Sequence, residues 1–186
     1  MQRKIRIMGI GGSLEAHSST LAILKYEMML IKSLGAQIKI INLRNIKLPL
    51  YNNSSVLKGK IKDMLNEIHT AEGYIFASPE YHGTVSASFK NIIDYFEFLA
   101  GYTPPYITGK PVGCIAAAGA ENAGATTLQT MFNIVHNLRG ISASNSFAIG
   151  SASTMIGRKG ELKNEHVKRK LKRLAEEVYN LALKLK

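Results

Sequence analysis

Five apolar runs alternate with five helical patterns along this chain, and that alternation restricts the fold more than any other feature of the sequence. "KIRIMGI" (4–10), "AQIKIINL" (36–43), "GYIFAS" (73–78), "KPVGCIAAAG" (110–119) and "ISASNSFAI" (141–149) read as strands. Between them, residues 18–34, 54–69, 86–99 and 125–138 read as helices, and a further helical pattern closes the chain. Strands separated by helices need right-handed crossovers, which build a parallel sheet covered on both faces. No linker, repeat or low-complexity segment breaks the order, so the expectation is one α/β domain over residues 1–186.

Composition fits that expectation and narrows the function. At 186 residues, with 46% hydrophobic and 20% charged residues, the chain is long enough to bury a core and resembles an ordinary soluble domain. A lone cysteine, Cys114, excludes a disulfide or a Cys-based cluster within one chain, and a reducing cytoplasm is the default setting. Cys114 lies in the apolar run of the fourth strand and reads as core. The opening "MQRKIRIMGI" is too short and interrupted for a signal peptide, and no stretch is long enough for a membrane span. The five histidines are scattered without metal-ligand spacing.

The net charge of +11 raises the question of a nucleic-acid partner. From Arg158 onward ten Lys or Arg stand against four Glu. In that segment Val167, Leu171, Leu174, Val178, Leu181 and Leu185 form one apolar helical stripe, with the cations on the other face. A helix docked on the body with a solvated basic face explains the charge better than a nucleic-acid or membrane surface.

A parallel sheet of this kind binds ligands beyond the carboxyl ends of its strands, where the strand order reverses. The loops after strands one, three and four are each unusual. The first, "GGSLEAHSST", offers hydroxyls and free backbone N–H groups at a helix N-terminus, a seat for an anion. A tight turn or an N-cap is the simpler reading, but a cap needs only Ser18 or Ser19, not Gly11, Gly12, Ser13, Ser18, Ser19 and Thr20 together. Leu14 breaks the dinucleotide fingerprint begun by Gly9 and Gly11, and the Lys-Ser/Thr of a P-loop is missing. "GGSLE" also lacks the second glycine of a hydrolase elbow around Ser13. A monophosphate fits best.

The second loop adds "SPEYHGTVSASFKNIIDYFEF". With Gly12, Ser13, Ser18, Ser19 and Thr20, then Pro79, Glu80, Tyr81, His82 and Gly83, then Lys90, Asn91 and Asp94, the chain resembles the NADPH-dependent FMN reductase family. The likeness runs through essentially the whole chain, including "AAAGAENAGATTLQTM" in the third loop. It implies a flavodoxin-like three-layer α/β/α fold with a five-stranded parallel sheet in the order 2-1-3-4-5. It also implies FMN and NADPH (or NADH) as cofactors, with hydride passing to the flavin and electrons on to an acceptor. By resemblance, Ser13, Ser18, Ser19 and Thr20 would hold the phosphate. Backbone groups of Glu80 to Gly83 and the Tyr81 ring would meet the isoalloxazine, and Gly119, Ala120, Glu121, Asn122 and Gly124 would close over its pyrimidine end. No side chain is assigned an essential proton transfer, because the chemistry belongs to the cofactors.

One position departs from the family pattern: Glu15 stands where family members carry Arg, and a carboxylate cannot neutralise a phosphate. The expectation is that Glu15 faces solvent and FMN is held more loosely. The helix after the second loop bears on assembly. Phe89, Ile92, Ile93 and Phe96 make one apolar face, and Tyr95, Phe98, Leu99 and Tyr102 extend it, which suggests a subunit contact in a homodimer or homotetramer. Two alternatives are a flavodoxin-type electron carrier, although such carriers tend to be acidic, and a flavin-free protein that acts through its basic tail.

Overall fold

The computed structural model describes residues 4–54 and 57–186. Its sheet runs β2(Gln37–Asn42), β1(Arg6–Gly11), β3(Gly73–Tyr81), β5(Pro111–Ala117), β6(Ile141–Ser142), all parallel, and β7(Phe147–Ile149) also pairs with β5. A two-residue strand, β4(Thr84–Val85), folds back antiparallel on β3. With β4 set aside and β6 and β7 taken as one broken strand, this is the expected 2-1-3-4-5 order.

Strand residues divide between two cores with the period of two that a pleated sheet imposes. Met8, Ile10, Tyr74, Phe76, Val112, Cys114 and Ala116 face α2(Gly59–Thr70), α3(Ala87–Asp94) and α4(Ala125–Asn137). Ile7, Ile75, Ala77, Ile115 and Ala117 face α1(Ser19–Ser33) and α5(Glu165–Lys184). Both faces are apolar, so the central strands read as unbroken hydrophobic runs. Cys114 is fully buried, and burial pushes its thiol far up.

Four elements differ from the sequence reading, each for a local reason. The expected start of α2 near residue 54 falls partly on residues 55–56, outside the described residues; the helix begins at Gly59. The fifth strand is split by a turn at 143–146. Backbone and side-chain donors of Ser144 and Asn145 bond the Glu177 carboxylate of α5 at 2.7–2.8 Å, and Ser146 Oγ accepts the Cys114 N–H that the missing strand would have taken. The helix expected over 86–99 is α-helical only to Asp94 and then tightens into a 3₁₀ turn over Tyr95–Leu99. In α5 the buried stripe is Val167, Leu171, Leu174 and Val178, completed by Ala175 and Ala182, while Leu185 is exposed past the helix end. The basic residues of α5 are partly paired on its surface, Lys168 with Glu165 at 2.8 Å and Lys172 with Glu176 at 3.9 Å.

The 3₁₀ turn corrects the argument for a subunit contact. Tyr95, Phe96 and Leu99 are buried within this one chain, where Tyr51 packs edge-on against Tyr95 and Phe98. Asn91 holds that covering segment in place: its side chain donates to Pro49 O and accepts from Tyr51 N–H, both at 2.8 Å.

Glu27 sits on the buried stripe of α1, fully enclosed, and neither carboxylate oxygen has a hydrogen-bond partner among the described residues. Burial pushes its carboxyl well above the ordinary range, so folding favours the protonated form. The unfolded chain ionises this group near pH 4.3, about the usual value for glutamate. Its stabilising form is therefore fully present below that pH and is lost as the pH rises toward the folded-state value. Glu27→Met is expected to raise stability at pH 7 by about 1–3 kcal/mol, the cost of an unsatisfied buried polar group. Denaturant melts at neutral and acid pH check this, and the gain should shrink as the pH falls to about 4.

Candidate functional site

Neighbouring parallel strands end at one edge, so the β1, β3 and β5 loops open side by side. Register fixes their heights: Gly11 pairs with Ala77, and Pro79 pairs with Ala117. β3 therefore runs four residues past the end of β1, as far as Tyr81. Sheet order reverses between β1 and β3, which puts the candidate cleft at the topological switch point.

In the first loop, Gly12 leaves the strand and the helix starts at Ser19. Ser18 caps α1, its Oγ accepting the Leu21 N–H at 3.1 Å, and Ser13 Oγ accepts the Glu15 N–H at 3.3 Å. Each hydroxyl keeps its proton to donate. The N–H groups of Ser19 and Thr20 lie in the first helical turn, where no intrahelical acceptor exists. Ser13 and Thr20 are buried, and Glu15 is exposed.

The second loop is a hairpin where the sequence reading placed an irregular loop. Glu80 pairs with Val85 and Tyr81 with Thr84, leaving His82 and Gly83 as a two-residue turn with φ of 52° and 76°. Positive φ at both positions is what a type I′ hairpin turn requires. Gly83 meets that need without strain, and His82 adopts it as the rarer case. Tyr81 stands half exposed (50%) at the rim, and His82 is exposed. Pro79 closes the shared ladder with β5.

Two ties that the sequence reading missed join these loops. The Gly12 carbonyl accepts from Ser86 Oγ at 2.6 Å and Ser88 Oγ at 2.7 Å, at the start of α3. Ser86 Oγ also accepts the Phe89 N–H, and its own N–H donates to Ser78 Oγ at 3.0 Å. "SASF" carries an N-cap signal for Ser86, but no sequence signal reveals a carbonyl 74 residues away. Glu80 makes the second tie, its carboxylate accepting from Thr127 Oγ1 at 2.8 Å and Thr126 Oγ1 at 3.4 Å. That anchors the hairpin to the first turn of α4, where a negative charge is favoured by the helix dipole.

The third loop is exposed at Gly119, Ala120, Glu121 and Asn122 and becomes buried at Gly124, which caps α4 with φ 104°. The segment after β7 holds it: Ser151 N–H donates to Ala120 O at 3.1 Å and Ala152 N–H to Ala118 O at 2.9 Å. The fifteen residues singled out from the sequence thus lie on the first loop and the start of α1, on the end of β3 and its hairpin turn, and on the loop leading into α4, at one sheet edge. Among the described residues no cluster of His, Cys, Asp or Glu could hold a metal, and no helix is long and apolar enough to cross a membrane.

Comparison with known proteins agrees with this architecture. The family model described as NADPH-dependent FMN reductase matches residues 5–154. An NAD(P)H-dependent FMN reductase of Pseudomonas aeruginosa is 29% identical over 126 residues, 65% of this chain and 64% of the relative. An NADPH azoreductase of a Bacillus strain is 31% identical over 90 residues, 46% of each chain. The match thus spans about half to two-thirds of the length of these relatives. The solved structure of a flavoenzyme NAD(P)H:(acceptor) oxidoreductase from Paracoccus denitrificans superposes with a TM-score of 0.80, covering 97% of this chain and 98% of that one at 17% identity. That last likeness shows the flavodoxin-like fold alone.

Gly12 gives the site a sharp test. A Cβ there would lie 2.6 Å from Phe89 Cβ and 3.0 Å from Ser86 Oγ, forcing the first loop away from α3. Gly12→Ala is expected to cost about 1–3 kcal/mol in a thermal or denaturant melt, the usual penalty of overpacking.

Proposed function

Because the chain belongs to the NADPH-dependent FMN reductase family, we propose that residues 1–186 form one FMN-binding domain that takes electrons from NADPH or NADH and passes them to a small-molecule acceptor. The observation that carries this reading is the meeting of three loops at one switch point, each with donors suited to a different part of FMN.

The donor set of the first loop fits a phosphate monoester. Ser13, Ser18 and Thr20 have hydroxyls to donate, Ser19 adds a backbone N–H, and the positive end of α1 favours the charge. The hairpin would hold the ring edge through backbone groups of Glu80 to Gly83 and offer the Tyr81 ring as a flat wall. Pro79 and the Glu80–Thr127 bond keep that backbone fixed before any ligand arrives, and such preorganisation lowers the entropic cost of binding. Gly119, Ala120, Glu121, Asn122 and Gly124 would cover the remaining edge, with small residues allowing close backbone approach. Bound FMN supplies the two-electron chemistry, a hydride from the nicotinamide in and two electrons to the acceptor out. The chain's own work is to bind, stack and orient; no side chain is asked to transfer a proton.

The acceptor class remains quinone, azo compound, metal oxyanion or free flavin within this reading. An electron-carrier role is the less favoured alternative, set aside because the chain is strongly basic. Assembly as a homodimer or homotetramer belongs to the proposal too. With Tyr95 and Leu99 covered, its support shifts to Leu14 and Leu50, the latter 85% exposed, which border a groove of about 420 Å³ lined by Leu43, Ile46 and Leu48. The single buried cysteine fits a cytoplasmic setting.

Purified protein titrated with FMN should bind it and then oxidise NADPH or NADH in the presence of a quinone or azo dye. A chain that ignores FMN, or binds it without turnover, contradicts the enzymatic reading. Glu15→Arg is expected to tighten FMN binding about 10- to 100-fold, the value of one charge-assisted hydrogen bond. An unchanged dissociation constant would remove Glu15 from the account of affinity.

A further inference from the structure

A groove of about 1060 Å³ opens against Ala16, His17, Ser18 and Ser19 of the first loop. Its near wall is α1, where Ala22, Lys25, Tyr26 and Met29 recur at three- and four-residue steps and so form one stripe. Its far wall is the turn from Ser153 to Leu162, and Lys168 of α5 closes one side. Two chemistries meet there. Tyr26, Ile156 and Met29 give an apolar surface, with Met29 57% exposed to solvent.

Lys25, Arg158, Lys159 and Lys168 supply the cations. Lys168 is paired with Glu165, but the side chains of Lys25, Arg158 and Lys159 have no ion pair or hydrogen bond among the described residues. The one carboxylate on the lining, Glu161, already accepts from the Lys159 N–H at 3.1 Å and lies 3.7 Å from Lys163 Nζ. Like charges sharing one groove repel, and an anion between them turns repulsion into attraction. An apolar floor beneath unpaired cations matches a purine nucleoside bearing a phosphomonoester.

We infer that this groove takes the adenosine 2′-phosphate end of NADPH, with Arg158 and Lys159 meeting the 2′-phosphate and the purine resting on Tyr26 and Met29. The inference rests on the reading of the first loop as the flavin-phosphate seat, because Ser18 and Ser19 of that loop also line this groove. It gives the choice between NADPH and NADH a physical basis. The 2′-phosphate is the group that distinguishes the two, and here it finds unpaired cations.

Isothermal titration calorimetry on the FMN-loaded protein tests this with adenosine 2′,5′-bisphosphate, adenosine 5′-monophosphate and inorganic phosphate as probes. The bisphosphate should bind at least about tenfold more tightly than either of the others. The double substitution Arg158→Ala with Lys159→Ala, both on an exposed turn, should weaken it about 10- to 100-fold, and Lys25→Gln, on a separate element, should weaken it as well. In turnover, the double variant should raise the KM for NADPH relative to that for NADH. Equal binding of the bisphosphate and the monophosphate, competition by inorganic phosphate at equal strength, or unchanged binding in both variants overturns the inference. An FMN titration of the native chain separates the two readings. FMN binding without bisphosphate binding removes the groove assignment alone, and bisphosphate binding without FMN binding removes the flavin reading on which it was built.

Discussion

The carbonyl oxygen of Gly12 accepts hydroxyl protons from Ser86 and Ser88, while the Gly12 N–H donates to Ala77 O at 2.8 Å. One residue thereby joins the end of β1, the body of β3 and the first turn of α3. Any side chain at this position would collide with Phe89 and Ser86, so the close approach depends on the missing Cβ. Ser86 extends the link to Ser78 inside β3, and Glu80 extends it from the hairpin to α4. These hydrogen bonds tie the first loop, the hairpin and the start of α4 to one another.

Electrostatics at this edge are uneven. The first loop, the proposed phosphate seat, brings hydroxyls to the N-terminus of α1, and Glu15 within it is exposed. The hairpin and third loop add Glu80 and Glu121. Positive charge collects instead in the adjoining groove, on α1 and on the turn before α5. The division suits two ligands of different character: one gripped by shape and backbone, the other by charge.

Much of the framework was legible in the sequence because it is local or periodic. The central strands are buried on both faces, so their apolar runs stand out, and the cap at Ser18 marks the start of α1. The hairpin has a local signal, His82-Gly83 between strand-forming residues, although "PEYHGTVS" by itself reads as a loop. What could not be read depends on distant partners. Glu177 breaks the last strand from a helix about thirty residues on, and the Tyr51 segment, pinned by Asn91, covers aromatic residues that looked free for a subunit contact. The carboxylate of Glu27, on a segment read simply as a helix, is enclosed by tertiary packing as well. For the candidate site, the residues were visible and their mutual ties were not.

The central claim is that one flavin mononucleotide bridges all three loops. Backbone amide chemical shifts of isotope-labelled protein, followed by NMR as FMN is added, test it directly. The account predicts saturable shifts concentrated at residues 12–20, 80–83 and 119–124, with the far edge of the sheet unmoved. Shifts confined to a single loop, or strongest on some other face of the molecule, would contradict it.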